Sequence, residues 1–315
     1  MYKIIEKQGK DIYFMKKKIL ITIFSIIGVL VIGIVGYGVY LYNHISKTAD
    51  KIHDPIDRQS TKRSGEVNLN KKDPVGILLL GVDQRPGDRG RSDTMIYLTI
   101  NPKTNQTKMF SIPRDTRTLI VGHNTQDKIN HAFAFGGAKM SMNSVEHLLD
   151  VPVDYYVQVN MESFREIVDA VNGIDVNSNF AFTYEGTQFQ KGMIHLNGED
   201  ALKYVRMRYE DPQGDFGRQE RQRQVIQGIV DKAISLNTIT KVDEILKSIG
   251  NNVQTNLTFE DMQRLQKNYA AARNNVETLQ IEGEGRKIDR IYYFIPNENS
   301  LQKVQNSLKE SLEMN

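Results

Sequence analysis

Three short stretches of this chain concentrate arginine and aspartate, and each borders a run of apolar residues. They are Gly81 to Met95 (GVDQRPGDRGRSDTM), Ser111 to Thr116 (SIPRDT) and Tyr204 to Gln224 (YVRMRYEDPQGDFGRQERQRQ). Burying an unpaired charge costs several kcal/mol. A fold that buries the apolar runs must therefore bring these charges to an edge where they pair with one another or with a ligand. Many guanidiniums converging with a few carboxylates suit a phosphate or pyrophosphate that is partly neutralised by a divalent cation.

The rest of the composition narrows the class. A length of 315 residues allows one large domain or two small ones, and a net charge of +3 gives no bulk attraction to nucleic acid. Without cysteine, neither a disulfide framework nor a thiolate metal site can form. Ile19 to Tyr42 is an uncharged run of 24 residues, which at ~1.5 Å per residue crosses a hydrocarbon layer of roughly 30 Å with some tilt. Lys16, Lys17 and Lys18 precede it, so residues 1–18 are expected in the cytoplasm and everything after residue 42 outside it. The run is too long for a cleaved signal peptide and no small-x-small site follows it, which predicts an uncleaved signal anchor over 19–42 in a single-pass type II membrane protein. Translation can start at Met1 or Met15. Residues 43–73 are polar and show no hydrophobic period, so they read as an extracytoplasmic stalk, with the folded domain over 74–315.

Within that domain Ile77 to Val82 is apolar on both faces, the mark of a central strand. Met95 to Ile100 reads as a second strand, and the turn residues NPKTNQ return the chain antiparallel over Lys108 to Ile112. Helices are predicted over Met140–Leu149, Met161–Val171, Gly198–Tyr204, Gly217–Ile234, Val242–Ile249, Phe259–Ala272 and Ser300–Glu313. Further strands are predicted over Val153–Val159, Val276–Ile281 and Ile291–Ile295. This alternation implies a three-layer α/β/α sandwich with a central mixed sheet, preceded by one transmembrane helix.

The charged residues fall at the ends of these elements. Asp83 follows the buried strand, at the kind of edge where open α/β sheets bind ligands, and Arg85 lies two residues on. Arg91 and Asp93 alternate into the next strand, so both side chains should point one way. Asp83 and Asp93 together suit a hard cation, and an Asp–Arg cluster closing the sheet edge suits the spacing equally. Pro113 stops the returning strand and puts Arg114 and Asp115 in the loop beyond. Arg206 and Arg208 alternate in a stretch read as extended. Arg218, Arg221, Gln222, Val225, Ile226 and Ile229 share one helical face, with the arginines at the end where helices bind anions. Glu220 and Arg223 lie off that stripe and read as a solvated face. Lys128 and Asn130 can add donors, and Phe133 and Phe135 read as core. No HExxH, Walker A or GxSxG pattern occurs, against a zinc hydrolase, a P-loop ATPase or an esterase.

Taken together, GVDQR, GRSDTM, SIPRDT, DKINHAFAFGG and RMRYEDPQGDFGRQERQRQVI resemble the signature of the LytR–CpsA–Psr family over roughly Val75 to Ile234. Within it the chain looks most like the wall teichoic acid transferases of Gram-positive bacteria. The resemblance implies a phosphotransferase that moves an anionic glycopolymer from undecaprenyl pyrophosphate to the 6-hydroxyl of N-acetylmuramic acid in peptidoglycan, at the membrane. It also implies a lipid tunnel with an arginine-lined mouth and a Mg2+ ion. Motif by motif, Asp83 and Asp93 are the implied metal-associated carboxylates. Arg91, Arg114, Lys128, Arg206, Arg208, Arg218 and Gln222 are the implied pyrophosphate contacts, supported by Arg85, Asp115, Asp215 and Arg221. Asp83, Asp93 and Arg114 are the catalytic candidates, with Asp83 the first choice and Asp93 the second to receive the muramic hydroxyl proton. A lipid pyrophosphatase and a non-catalytic lipid-binding cell-envelope regulator are the competing readings. The resemblance carries no role for Glu282 to Arg290 or for the closing helix.

Overall fold

The computed structural model describes residues 36–85, 88–160, 164–233, 247–250 and 252–314. It divides into two compact units, residues 1–47 and residues 48–315. In the first, residues 36–47 are helical and expose Tyr37, Tyr40 and Tyr42. The expected anchor over 19–42 and the segment 1–18 lie largely or wholly outside the described residues. Among the described residues no helix is long and apolar enough to cross a membrane. The helix expected over Val242–Ile249 also falls mostly outside them.

The second unit is a mixed α/β fold. Its strands are β1 (Val75–Arg85), β2 (Asp88–Asn101), β3 (Gln106–Ser111), β4 (Arg117–Ile120), β5 (Thr125–Lys128), β6 (Tyr155–Asn160), β7 (Ile174–Ser178), β8 (Phe182–Tyr184), β9 (Thr187–Phe189), β10 (Gly192–Leu196), β11 (Val253–Thr255), β12 (Val276–Leu279), β13 (Gly283–Ile288) and β14 (Ile291–Pro296). Its helices are α1 (His131–Leu149), α2 (Phe164–Ala170), α3 (Gly198–Arg206), α4 (Asp215–Ala233), α5 (Phe259–Tyr269) and α6 (Glu298–Ser311). The central sheet runs β11-β6-β1-β2-β3-β12. Within it β1 is parallel to β6 and β12 to β3, while the other neighbours are antiparallel.

The doubly apolar pattern of β1 has a direct cause in the packing. Leu78, Leu80 and Val82 enter a core with Met142, Val145 and Leu149 of α1 and with Val304 and Leu308 of α6. Ile77 and Leu79 face the opposite side, against Leu257 and Tyr269. A third cluster gathers Val168, Val176, Phe182, Phe189, Tyr204 and Val225 around β7 to β10 and the start of α4. Helix α5 opens as its sequence predicts: Thr258 and Asp261 form both halves of a capping box.

Two boundaries differ from expectation for physical reasons. Helix α1 begins at His131, nine residues before the predicted start, because Gly136 and Gly137 break the helical backbone and divide it into two segments. The strong period seen from Met140 is the second segment. The stretch expected as a stalk over 43–73 is also corrected, since from Thr48 it is part of the compact unit. Its polar composition suggested solvation, but its charges find buried partners. Arg58 pairs with Glu146 and donates to Asn143 (2.6 Å) and to the Val153 carbonyl (2.5 Å). Arg63 Nε lies 3.0 Å from Asp154, and Leu69 is buried among the third-face residues.

Candidate functional site

Strand β1 outlasts its parallel neighbour β6. The last pair is Val82 with Asn160, so Asp83 is the first residue beyond the shared edge, opposite Arg91 on β2. Gly90 (φ +71°) permits this ribbon, because a Cβ there would meet the Asp83 carbonyl oxygen at 2.1 Å. The expected alternation of Arg91 and Asp93 is interrupted. Gly81 pairs with Thr94 and Val82 with Ser92, which leaves Asp93 as the extra residue of a β-bulge. A bulge bends the strand and re-aims its side chains. Arg91 is accordingly exposed, whereas Asp93 Oδ1 lies 2.9 Å from Arg114 Nη1 and accepts a hydrogen bond from Asn130 Nδ2 at 3.2 Å.

Arg114 reaches this point from the loop after β3, and Arg208, from the chain before α4, joins Asp215 and Arg218 of its first turn in the rest of the cluster. Asp215 Oδ1 lies 2.6 Å from Arg218 Nη2 and 3.7 Å from Arg208 Nε. Its Oδ2 accepts from Gln219 Nε2 at 3.0 Å. Lys128, at the end of β5, adds its own pair, with Nζ 2.7 Å from Asp115 Oδ1. Arg114 Nε also lies 3.9 Å from Asp115 Oδ2, so Arg114, Arg208, Arg218 and Lys128 together divide three carboxylates, Asp93, Asp115 and Asp215. Burial is the largest influence on Arg218 and pushes its pKa below the ordinary value. Asp215 opposes that shift, while the charges of Arg114 and Arg208 add to it. Burial also works against the charge of Arg114, but Asp93, Asp115 and Asp215 outweigh it and its pKa is raised. The Nε atoms of both Arg114 and Arg218 are buried without a hydrogen bond, as are Ser92 Oγ and Asn130 Oδ1. Buried polar atoms are ordinarily satisfied. An anion seated here would meet surplus positive charge and unspent donors.

Other predicted residues fall elsewhere. Arg206 ends helix α3 rather than lying in an extended stretch, and its charge acts on Tyr184. Arg221 is buried on the same face of α4 as Arg218 and Gln222, but it turns to the chain that carries Arg208. It pairs with Asp211, donates to the Tyr204 carbonyl at 2.8 Å and also bonds the Met207 carbonyl. The side chain of Arg85 is not among those described. Arg223 was expected on a solvated face; instead it is largely buried, pairing with Glu220 and donating to Ser111 Oγ at 2.9 Å. Phe133 is core, whereas Phe135 is exposed and stacks on His123.

Strand β14 lies where the sequence predicts a strand, but its pairing with β13 into a hairpin that braces the site was missed. The Phe294 N–H donates to the Asp115 carbonyl at 2.9 Å, and the Phe294 ring meets Phe216 edge-on at 6.0 Å. The hairpin therefore braces both the Arg114 loop and the first turn of α4. Tyr293 donates to Asp127, whose carboxylate also holds His131 at 2.8 Å and so fixes the segment carrying Lys128 and Asn130.

Among the described residues no group of three or more His, Cys, Asp or Glu side chains is placed to hold a metal ion. A closed all-protein cage is thus not what these residues offer. Asp83 and Asp93 lie on paired strands, and a magnesium ion takes only one or two carboxylates and completes its shell with water and phosphate oxygens.

Comparison with known proteins bears on this geometry. The model of the LytR_cpsA_psr family matches residues 39–310. The polyisoprenyl-teichoic acid–peptidoglycan teichoic acid transferase TagU of Bacillus subtilis (strain 168) is 55% identical over 298 residues, covering 95% of this chain and 97% of its own. The crystal structure of B. subtilis TagU superposes with a TM-score of 0.64 at 52% identity, covering 78% of this chain and 99% of that one. A structure of TagT bound to LI-WTA does so with a TM-score of 0.70 at 34% identity, covering 83% of this chain and 100% of that one.

Proposed function

The chain belongs to the LytR–CpsA–Psr family, and from that premise we propose that it transfers a teichoic acid from a polyisoprenyl pyrophosphate lipid to peptidoglycan. The observation that carries this reading is the gathering of four cations, Arg114, Arg208, Arg218 and Lys128, over three carboxylates, Asp93, Asp115 and Asp215, with the buried Nε atoms of Arg114 and Arg218 making no hydrogen bond. That is the charge pattern a pyrophosphate would complete. The two covered faces of the sheet read as a three-layer α/β/α arrangement, and the apolar run over 19–42 as the anchor that holds it at the outer membrane surface, near its lipid donor.

In the reaction, the 6-hydroxyl oxygen of an N-acetylmuramic acid unit attacks the phosphorus that bears the polymer's first sugar. A new P–O bond to the muramic oxygen forms and the bridging P–O bond breaks. The lipid leaves as its monophosphate, and the hydroxyl proton passes to a carboxylate, with Asp83 favoured over Asp93. Arg114, Arg208 and Arg218 orient the donor phosphates and stabilise the charge that grows on them, so positioning and electrostatics do most of the work. Asp83 and Asp93 would hold magnesium, which when bound neutralises further charge on the phosphate oxygens.

The test combines the full chain in lipid nanodiscs with magnesium, a lipid-pyrophosphate-linked teichoic acid precursor and nascent glycan strands. Polymer should appear on the glycan. Asp83→Asn should abolish transfer while donor binding persists, whereas Arg218→Ala should weaken donor binding itself. Steady phosphate release without acceptor would point to a pyrophosphatase instead. Full transfer by Asp83→Asn would remove that residue from the proton's path.

A further inference from the structure

Next to the arginine cluster lies a cleft of about 460 Å³, within the ~300–1,000 Å³ span of small-ligand sites. Nothing in the donor chemistry uses it. Its walls come from the elements that carry the arginines. Ser111 ends β3 three residues before Arg114, while Phe216, Gln219 and Arg223 come from the first turns of α4 on either side of Arg218. Asp215 stands between the two sites. One of its oxygens faces Arg218 and Arg208, and the other accepts from Gln219, a residue of the cleft.

The lining chemistry differs sharply from that of the arginine site. Asn179, Gln213 and Gln280 present amide groups that both donate and accept without charge, while the Ser111 hydroxyl is met by Arg223 and the Gln219 amide nitrogen by Asp215. Phe216 is 41% exposed and offers a ring to the cleft. The two charged residues in the lining, Glu220 and Arg223, are paired with each other. A polyanion finds no free cation there. Leu279 and Ile281 complete the lining with apolar surface, so a neutral ligand that combines hydroxyls and amides with an apolar face matches this mixture.

We infer that this cleft binds N-acetylhexosamine units of the acceptor glycan strand. The inference rests on the transferase reading and adds to it the place where the acceptor sits. An acceptor held there and a donor held on the arginines would share β3 and α4 as common walls, so binding both would bring their reacting groups together and remove much of the entropic barrier.

The test uses Gln213→Ala, Gln280→Ala and the double variant, as full chains in nanodiscs, with circular dichroism to confirm folding. Removing two hydrogen-bonding amides should raise the KM for the glycan acceptor about tenfold in the double variant, with the KM for the lipid donor unchanged. The uncharged tetramer of N-acetylglucosamine, titrated by NMR, supplies a second readout that needs no transfer. Wild type should bind it and the double variant should not. Normal transfer with the same acceptor KM in every variant would overturn the cleft while leaving the transferase reading intact. Tetramer binding that depends on Gln213 and Gln280, in a protein that transfers no polymer, would keep the cleft as a saccharide site and sink the transferase reading. A parallel rise in donor and acceptor KM would also overturn the assignment.

Discussion

Asp215 distinguishes an anion site from a structural salt-bridge cluster. It pairs with Arg208 and with Arg218, whose charge burial disfavours, and it stands where a ligand's negative charge would act. The isosteric change Asp215→Asn keeps the shape and removes the charge. Leaving a paired charge uncompensated in a largely buried setting costs stability, here about 1–3 kcal/mol, discounted for the partial exposure of Arg208. A ligand that restores the charge should recover that loss. Differential scanning calorimetry should therefore show a lowered Tm for Asp215→Asn and a larger rise with inorganic pyrophosphate than wild type shows. No pyrophosphate shift in either protein would mean that the arginines serve the fold alone.

At the scale of elements, the start of α4 depends on a glycine. A Cβ on Gly217 would meet the Asp211 carboxylate oxygens at 2.0 and 2.3 Å, and Asp211 is the buried partner of Arg221. Gly217→Ala should thus destabilise the protein by ~2–4 kcal/mol in urea unfolding, although alanine is the better helix former by ~1 kcal/mol. An unchanged or raised midpoint would show that the pair can shift at no cost. This element was legible in sequence because its buried stripe, Arg218, Arg221, Gln222 and Val225, keeps strict helical spacing. Strand β1 was legible because both its faces are apolar. The aim of Asp93 was not, since a bulge depends on how two strands pair and not on either alone. Nor was β13, which is exposed along nearly its whole length and carries no alternation. Arg206 was misplaced because its alternation with Arg208 straddles a helix end.

Across the whole molecule, the leading segment is tied down by a buried ion pair, Arg58 with Glu146, whose side chains are 6% and 4% exposed. Burial alone would raise the Glu146 pKa, but the Ser60 hydroxyl, the Arg58 charge and the Thr61 and Val153 N–H groups outweigh it, so the carboxyl is held below its ordinary value of 4.5. A depressed carboxyl pKa contributes stability that is present above that value and lost as pH falls through the folded pKa. Arg58→Ala should cost ~3 kcal/mol at pH 7, the low end of the range for breaking a buried pair because the other donors remain. Its loss relative to wild type should shrink as urea midpoints are taken from pH 5 towards pH 3; a constant gap would exclude this carboxylate as the cause. The far end of the chain has a different part. Strand β12 joins β3, Ser311 meets Thr99 across 212 positions, and Phe294 props the Arg114 loop from the C-terminal side. A polypeptide made from its N-terminus thus carries Arg114, Arg208 and Arg218 before the last few dozen residues exist to arrange them. A chain cut short of β12 would carry those arginines without the edge strand beside β3 and without the Phe294 brace on the Arg114 loop.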